Sequence, residues 1–141
     1  MTVRQAVTLG RWAHRGWWRP LTRYDRALVA ECIDTVGMAG LAREQLGELS
    51  GGQYRRVVIA QGLAQESDLL LLDEPTAGLD ADARRRILEI IDQFGAGGVA
   101  VVHATHDAAA ARRAGHGLPL EGGRLVAEGD PAALVRASRD A

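Results

Sequence analysis

Two carboxylates stand side by side where an apolar run stops: Leu69-Leu70-Leu71-Leu72 is followed by Asp73, Glu74 and Pro75. Such a pair can divide labour. One carboxylate can hold a magnesium ion, a hard cation that takes oxygen ligands. The other can orient or deprotonate an attacking water. Side chains alternate along a strand, so neither residue is expected to do both jobs. Upstream, Ser50-Gly51-Gly52-Gln53 opens a periodic segment. Ser is an N-cap type. The exposed N–H groups of a helix start, with the helix dipole, attract an anion. Gly51 and Gly52 would let a phosphate approach the backbone. His106 follows a second apolar run, Val99 to Val102. A neutral imidazole there could hydrogen-bond a phosphate oxygen or a water. Each element alone also has an ordinary structural reading: an acidic strand exit, a capped helix, a lone histidine.

These residues need elements to hold them. The unalternating run 69–72 reads as a buried strand of a parallel sheet, covered on both faces, and Val99 to Val102 reads as a second. Between them Asp80 to Phe94 has helical spacing, with Ile87, Leu88, Ile90 and Ile91 inward and Arg84, Arg85 and Arg86 on a solvated face. Val57, Ile59, Ala60, Leu63 and Ala64 predict a helix after Gln53. Thr22 with Asp25 three positions on predicts the capped start of a helix over 24–36, ended by Gly37 and Gly40. Ala108 to Ala114 is expected to be helical. Glu121-Gly122-Gly123 predicts a hairpin turn, and Asp130 a cap for a short helix over 131–136. Strand, helix, strand, helix is the order of an open α/β sheet. Ligands of such sheets sit beyond the carboxyl ends of the strands, where Asp73, Glu74 and His106 fall.

Bulk properties narrow the functions. The 141 residues fit one ordinary domain. The net charge of -1 offers no basic field for nucleic acid or an anionic surface. Trp12, Trp17 and Trp18 lie among Arg11, Arg15 and Arg19, and are read as a packed surface facing a partner rather than a base-stacking platform. Cys32 is the single cysteine, so no internal disulfide can form. No apolar run approaches the ~20 residues of a membrane helix, and the start has no signal-peptide core. A membrane role would have to run through a partner.

Taken together, LSGGQ at 49–53, LLLLDEP at 69–75, AGLD at 77–80 and THD at 105–107 resemble the ATP-binding subunits of ABC transporters, in order and spacing over most of the chain. The resemblance implies a partial P-loop NTPase fold of the α/β class: a helical subdomain, then a mostly parallel sheet with flanking helices, with the N-terminal β-region absent. It implies that 1–48 is part of the helical subdomain and 49–141 part of the ATPase core. Ser50, Gly51, Gly52 and Gln53 would form the signature motif, contacting ATP held by the opposite subunit of a dimer. Asp73 would be the Walker B aspartate near magnesium, Glu74 the general base, Ala77 to Asp80 the D-loop and His106 the switch histidine. The implied cofactors are ATP and Mg. The implied partners are a membrane permease and a second nucleotide-binding subunit, with the chain peripheral to the cytoplasmic face of the membrane. The opening residues, the tract 60–65 and the VVHATHD tract 101–107 look most like zinc or manganese uptake systems, with siderophore and cobalamin importers similar here.

The sequence departs from the family in one large respect. All 17 basic residues are Arg. Without Lys there is no G-x-x-x-x-G-K-[ST] loop, whose Lys reaches the β- and γ-phosphates. The family's Gln loop and adenine-stacking aromatic would lie upstream of Met1, and Gln5 is not that Gln. The chain therefore reads as a C-terminal part that does not hydrolyse ATP alone. A non-catalytic partner supplying LSGGQ in trans is the alternative. An ABC-type ATPase of DNA repair or translation is disfavoured, since no heptad run or basic linker is present.

Overall fold

The computed structural model describes residues 1–12 and 19–137, and they divide into two compact units, Met1–Val102 and His103–Ala141.

The first unit begins with α1 (Val3–Thr8) and a single 3-10 turn at Leu9–Arg11. Thr2 caps α1 through a reciprocal box with Gln5. The next amides of the helix start, Val3 and Arg4, donate to the Glu44 and Ala42 carbonyls at 3.0 Å each. A helix start orphans its first N–H groups, and here loop 42–46 receives them. The second helix, α2 (Arg23–Thr35), has Thr22 as N-cap and Asp25 as its box partner. Gly37 follows with φ +67°, a left-handed terminus. The third, α3 (Gly51–Leu63), is capped by Ser50 with Gln53 in the same reciprocal pattern. These three helices pack together. Val3, Val7, Val29, Ile33, Met38 and Val57 are fully buried at the centre, each contributing roughly 1.5–3 kcal/mol of transfer free energy.

Beneath this lies a buried ion network that the sequence did not announce. Arg11 was expected on a surface with its tryptophans; it is 4% exposed. Its Nε donates to Asp25 Oδ1 at 3.0 Å, and its Nη1 to the Ala64 carbonyl at 2.8 Å and to Glu66 Oε2 at 2.7 Å. Burial works against the charge, but the hydrogen bonds to Asp25 and Glu66 more than offset it and hold the guanidinium pKa above its usual value. The Tyr24 ring lies 5.9 Å from the guanidinium carbon and its hydroxyl donates to Glu66. Trp12 is half-exposed; Trp17 and Trp18 lie outside the described residues. Cys32 is buried in α2, and that burial pushes its thiol up to about 11, so it is an inert packing residue.

From α3 the chain enters β1 (Leu69–Asp73), crosses back through α4 (Ala81–Ala96), and enters β2 (Ala100–Ala104), whose first three residues close the unit. The two strands pair in a two-stranded sheet, and the Ala100 N–H donates to the Asp68 carbonyl at 2.9 Å. On α4, Ile87, Leu88, Ile90 and Ile91 are buried as expected, while Arg84 to Arg86 face solvent.

The strands are covered on one face and not on both, as expected of a sheet that lacks its N-terminal β-region. Leu70 is buried, but Leu69 and Leu71, which share the other face, are 48% and 68% exposed, and Val102 of β2 is 56% exposed. An apolar run records how strongly a strand favours burial, not which neighbour covers it. In these 141 residues taken alone, an apolar strand face left open favours association. Leu71→Glu is expected to raise the monomer fraction severalfold on size-exclusion with light scattering. Stability should change by less than about 0.5 kcal/mol, as for an exposed site.

The second unit contains α5 (Ala108–Ala111), shorter than the expected 108–114, a small hairpin of β3 (Leu120–Glu121) and β4 (Arg124–Leu125), and α6 (Pro131–Ala137). The hairpin turns at Gly122 and Gly123, both with positive φ, which glycine adopts without strain. Asp130 caps α6 by accepting from the Ala132 and Ala133 amides at 3.2 Å each.

Candidate functional site

The Ser50 end of α3 is built by a closed local circuit. Gln53 N–H donates to Ser50 Oγ at 3.3 Å, and Ser50 N–H donates to Gln53 Oε1 at 2.8 Å. This satisfies two amides at the helix start. Helix geometry leaves the Gly51 and Gly52 N–H groups with no acceptor inside the helix. The Ser50 hydroxyl, which accepts from Gln53, can still donate outward, and so can the Gln53 amide nitrogen. Two glycine N–H groups, one hydroxyl and one carboxamide thus converge at the positive end of a 13-residue helix. Gly52 is also a contact point. A Cβ there would lie 3.3 Å from the Ala83 side chain and 3.5 Å from Leu79. The start of α3 therefore sits directly against the segment that opens α4.

That segment is organised by Asp80. Its Oδ1 accepts the Ala83 N–H at 2.8 Å, making it the N-cap of α4. The turn before it runs from Glu74 to Gly78. Ala77 N–H donates to the Glu74 carbonyl at 3.2 Å and Leu79 N–H to the Thr76 carbonyl at 3.4 Å, with Thr76 buried.

Asp73 is the last residue of β1 and is exposed. Glu74 lies outside the strand, half-buried, with φ +44°. Strand alternation therefore ends at Asp73, and the backbone turns at Glu74. A left-handed non-glycine residue carries about 1–3 kcal/mol of strain, which surrounding contacts must hold. One such contact comes from α3: Arg55 Nη1 donates to the Glu74 carbonyl at 2.6 Å. Sequence reasoning missed Arg55, and no sequence signal marks a side chain that reaches a backbone oxygen 19 residues away. Its neighbour Arg56 reaches the end of α2, donating to the Val36 carbonyl at 3.1 Å; desolvation lowers its pKa.

His106 belongs to the second unit and is exposed, between β2 and α5. Around it, Asp107 N–H donates to Thr105 Oγ1 at 3.0 Å and Asp107 Oδ1 accepts from Ala109 N–H at 2.8 Å, starting α5. The first unit thus brings the Ser50–Gln53 end of α3 beside the Leu79–Ala83 segment, and it brings Arg55 to Glu74.

Among the described residues no group of three His, Cys, Asp or Glu could cage a metal. Magnesium is commonly held by one or two carboxylates together with phosphates and waters. Asp73 can serve as such a carboxylate. No helix among the described residues is long and apolar enough to cross a membrane.

The family model described as ABC transporter matches residues 1–77, and an AAA domain model matches 47–111. The manganese transport system ATP-binding protein of Halalkalibacterium halodurans is 41% identical over 105 residues, covering 74% of this chain and 42% of that protein. The zinc transport system ATP-binding protein of Streptococcus pneumoniae is 39% identical over 107 residues, covering 75% and 46%. A dimeric bacterial ABC transporter cassette superposes with a TM-score of 0.81 at 28% identity, covering 93% of this chain and 57% of that one. Phosphonate import and achromobactin transport ATP-binding proteins match as well. The chain spans about half the length of the curated relatives it matches. Its fold is that of part of an ABC ATPase cassette, and on the family match and the 41% identity the chain belongs to the ATP-binding proteins of ABC transporters.

Proposed function

We propose that this chain is the part of a metal-ion importer's ATP-binding subunit that carries the signature motif and the Walker B carboxylates. The observation that carries the reading is the Ser50-capped start of α3, with Gly51 and Gly52 in its first turn, packed at Gly52 against the segment that Asp80 caps. Ser50, Gly51, Gly52 and Gln53 would bind the phosphates of ATP seated on a second nucleotide-binding subunit. Asp73 would hold Mg, which supplies electrophilic stabilisation of phosphate charge when bound. Glu74 would take the proton of the attacking water, and His106 would bond the γ-phosphate. Asp80 would fix the segment between the two sites. A membrane permease would complete the assembly at the cytoplasmic face. The names of the manganese and zinc relatives favour a divalent metal as cargo.

The signature end of α3 can be tested in trans, on the ATP site of another subunit. Mixed with a full-length ABC ATP-binding subunit whose own signature serine is disabled, this chain is expected to restore phosphate release. Ser50→Arg should abolish the restoration, a loss of about 10²–10³ for removing phosphate-binding donors. Arg85→Ala, on the solvated face of α4, should leave it unchanged. Absence of restoration, or equal restoration by Ser50→Arg, overturns the reading.

A further inference from the structure

Two adjacent arginines of α3 reach in different directions. Arg56 grips the carbonyl of Val36 at the end of α2, and Arg55 grips the carbonyl of Glu74. The second contact is the more unusual. It is short, at 2.6 Å, and it falls on a half-buried residue with a left-handed backbone that is not glycine. The carbonyl that receives it also receives Ala77 N–H, so one oxygen organises both the turn and its link to α3. We propose that Arg55 is a positioning residue, holding the Glu74 turn by its backbone and so tying the signature helix to the carboxylate pair.

The linkage is direct. Arg55 lies little more than one helical turn beyond Ser50, and Tyr54 N–H donates to the Ser50 carbonyl at 2.9 Å, so both belong to one hydrogen-bonded stretch of α3. A phosphate gripped at Ser50 to Gly52 would fix the helix whose guanidinium fixes Glu74. A charged donor is suited to this, because it delivers a stronger hydrogen bond than a neutral one. The functional weight of the inference rests on the reading of Glu74 as base; the geometry of the turn does not.

Amide hydrogen exchange on the whole chain tests it. Arg55→Met, which keeps the apolar stem and removes the donors, is expected to speed exchange at Ala77 and Leu79 about tenfold or more. The amides of Val57, Ile59 and Ala60 in α3 should stay within about twofold, showing that the helix and its core are intact. Arg55→Lys, which retains a charged donor, should keep the turn amides within about threefold of the parent. Unchanged exchange at Ala77 and Leu79 in Arg55→Met overturns the inference. So does acceleration shared equally by the α3 amides, or a lysine variant as fast as the methionine one. Unchanged exchange would leave the role of Glu74 in hydrolysis standing, and a failure of that role would leave the exchange result standing.

Discussion

Asp25→Ala is expected to lower stability by about 3–5 kcal/mol, the cost of stranding a buried charge by removing its partner. Asp25 is fully buried and does two jobs with one carboxylate. It accepts from Arg11 Nε at 3.0 Å, and it accepts from the Thr22 amide at 2.9 Å and the Thr22 hydroxyl at 2.6 Å. The substitution removes the reciprocal half of the capping box, leaving the Thr22 amide without its acceptor. It also deprives the 4%-exposed Arg11 of a counter-charge, leaving Glu66, which is partly open to solvent, and the Ala64 carbonyl. Asp25→Asn keeps the shape and a cap acceptor and should cost less. Replacing both partners, Arg11→Met with Asp25→Leu, should recover much of the loss, because an apolar pair strands no charge. Urea midpoints at constant m-value measure each case. A loss below about 1 kcal/mol for Asp25→Ala would show that the network contributes little to holding α1, α2 and α3 together.

The reach of each interaction along the chain decides how much could be read from sequence. The caps Thr22, Ser50, Asp80 and Asp130 bond to amides two or three residues away, so residue types at fixed offsets reveal them. The core face of α4 follows from its period of 3.6. Arg11 is different. Its partners lie 14, 53 and 55 residues away, and beside tryptophans its composition suggests a surface. Arg55 meets Glu74 across 19 residues, through a backbone oxygen that has no sequence signature. The left-handed turn at Glu74 was invisible for a related reason: the residue type argues against that conformation, and only the surrounding contacts impose it. The helix α1 was hidden by its length, since six residues give little more than one period. The motif residues themselves were legible as types and order, while their mutual placement needed the packing of Gly52 against Leu79 and Ala83.

Joined in frame behind a half-cassette bearing a lysine phosphate loop, the chain is expected to form a hydrolytic subunit in which Glu74→Gln lowers the single-turnover rate by about 10²–10⁴, the range for losing a positioned general base. Glutamine preserves the size and hydrogen-bonding reach of the side chain but cannot take a proton from water. ATP binding should therefore persist while phosphate release falls, which separates proton transfer from nucleotide grip. The backbone adds a condition. Glu74 occupies its place through a φ of +44° and the Arg55 bond to its carbonyl. Glu74→Gln leaves both untouched, whereas Glu74→Gly relieves the strain and removes the carboxylate at once, loosening the turn as well. If Glu74 is the base, Gln and Gly should be similarly inactive although only Gly disturbs the turn amides. If Glu74 instead acts by shaping the turn, Gln should retain most of the rate and Gly should lose it. Phosphate release by the three proteins under single-turnover conditions separates a chemical role from an architectural one.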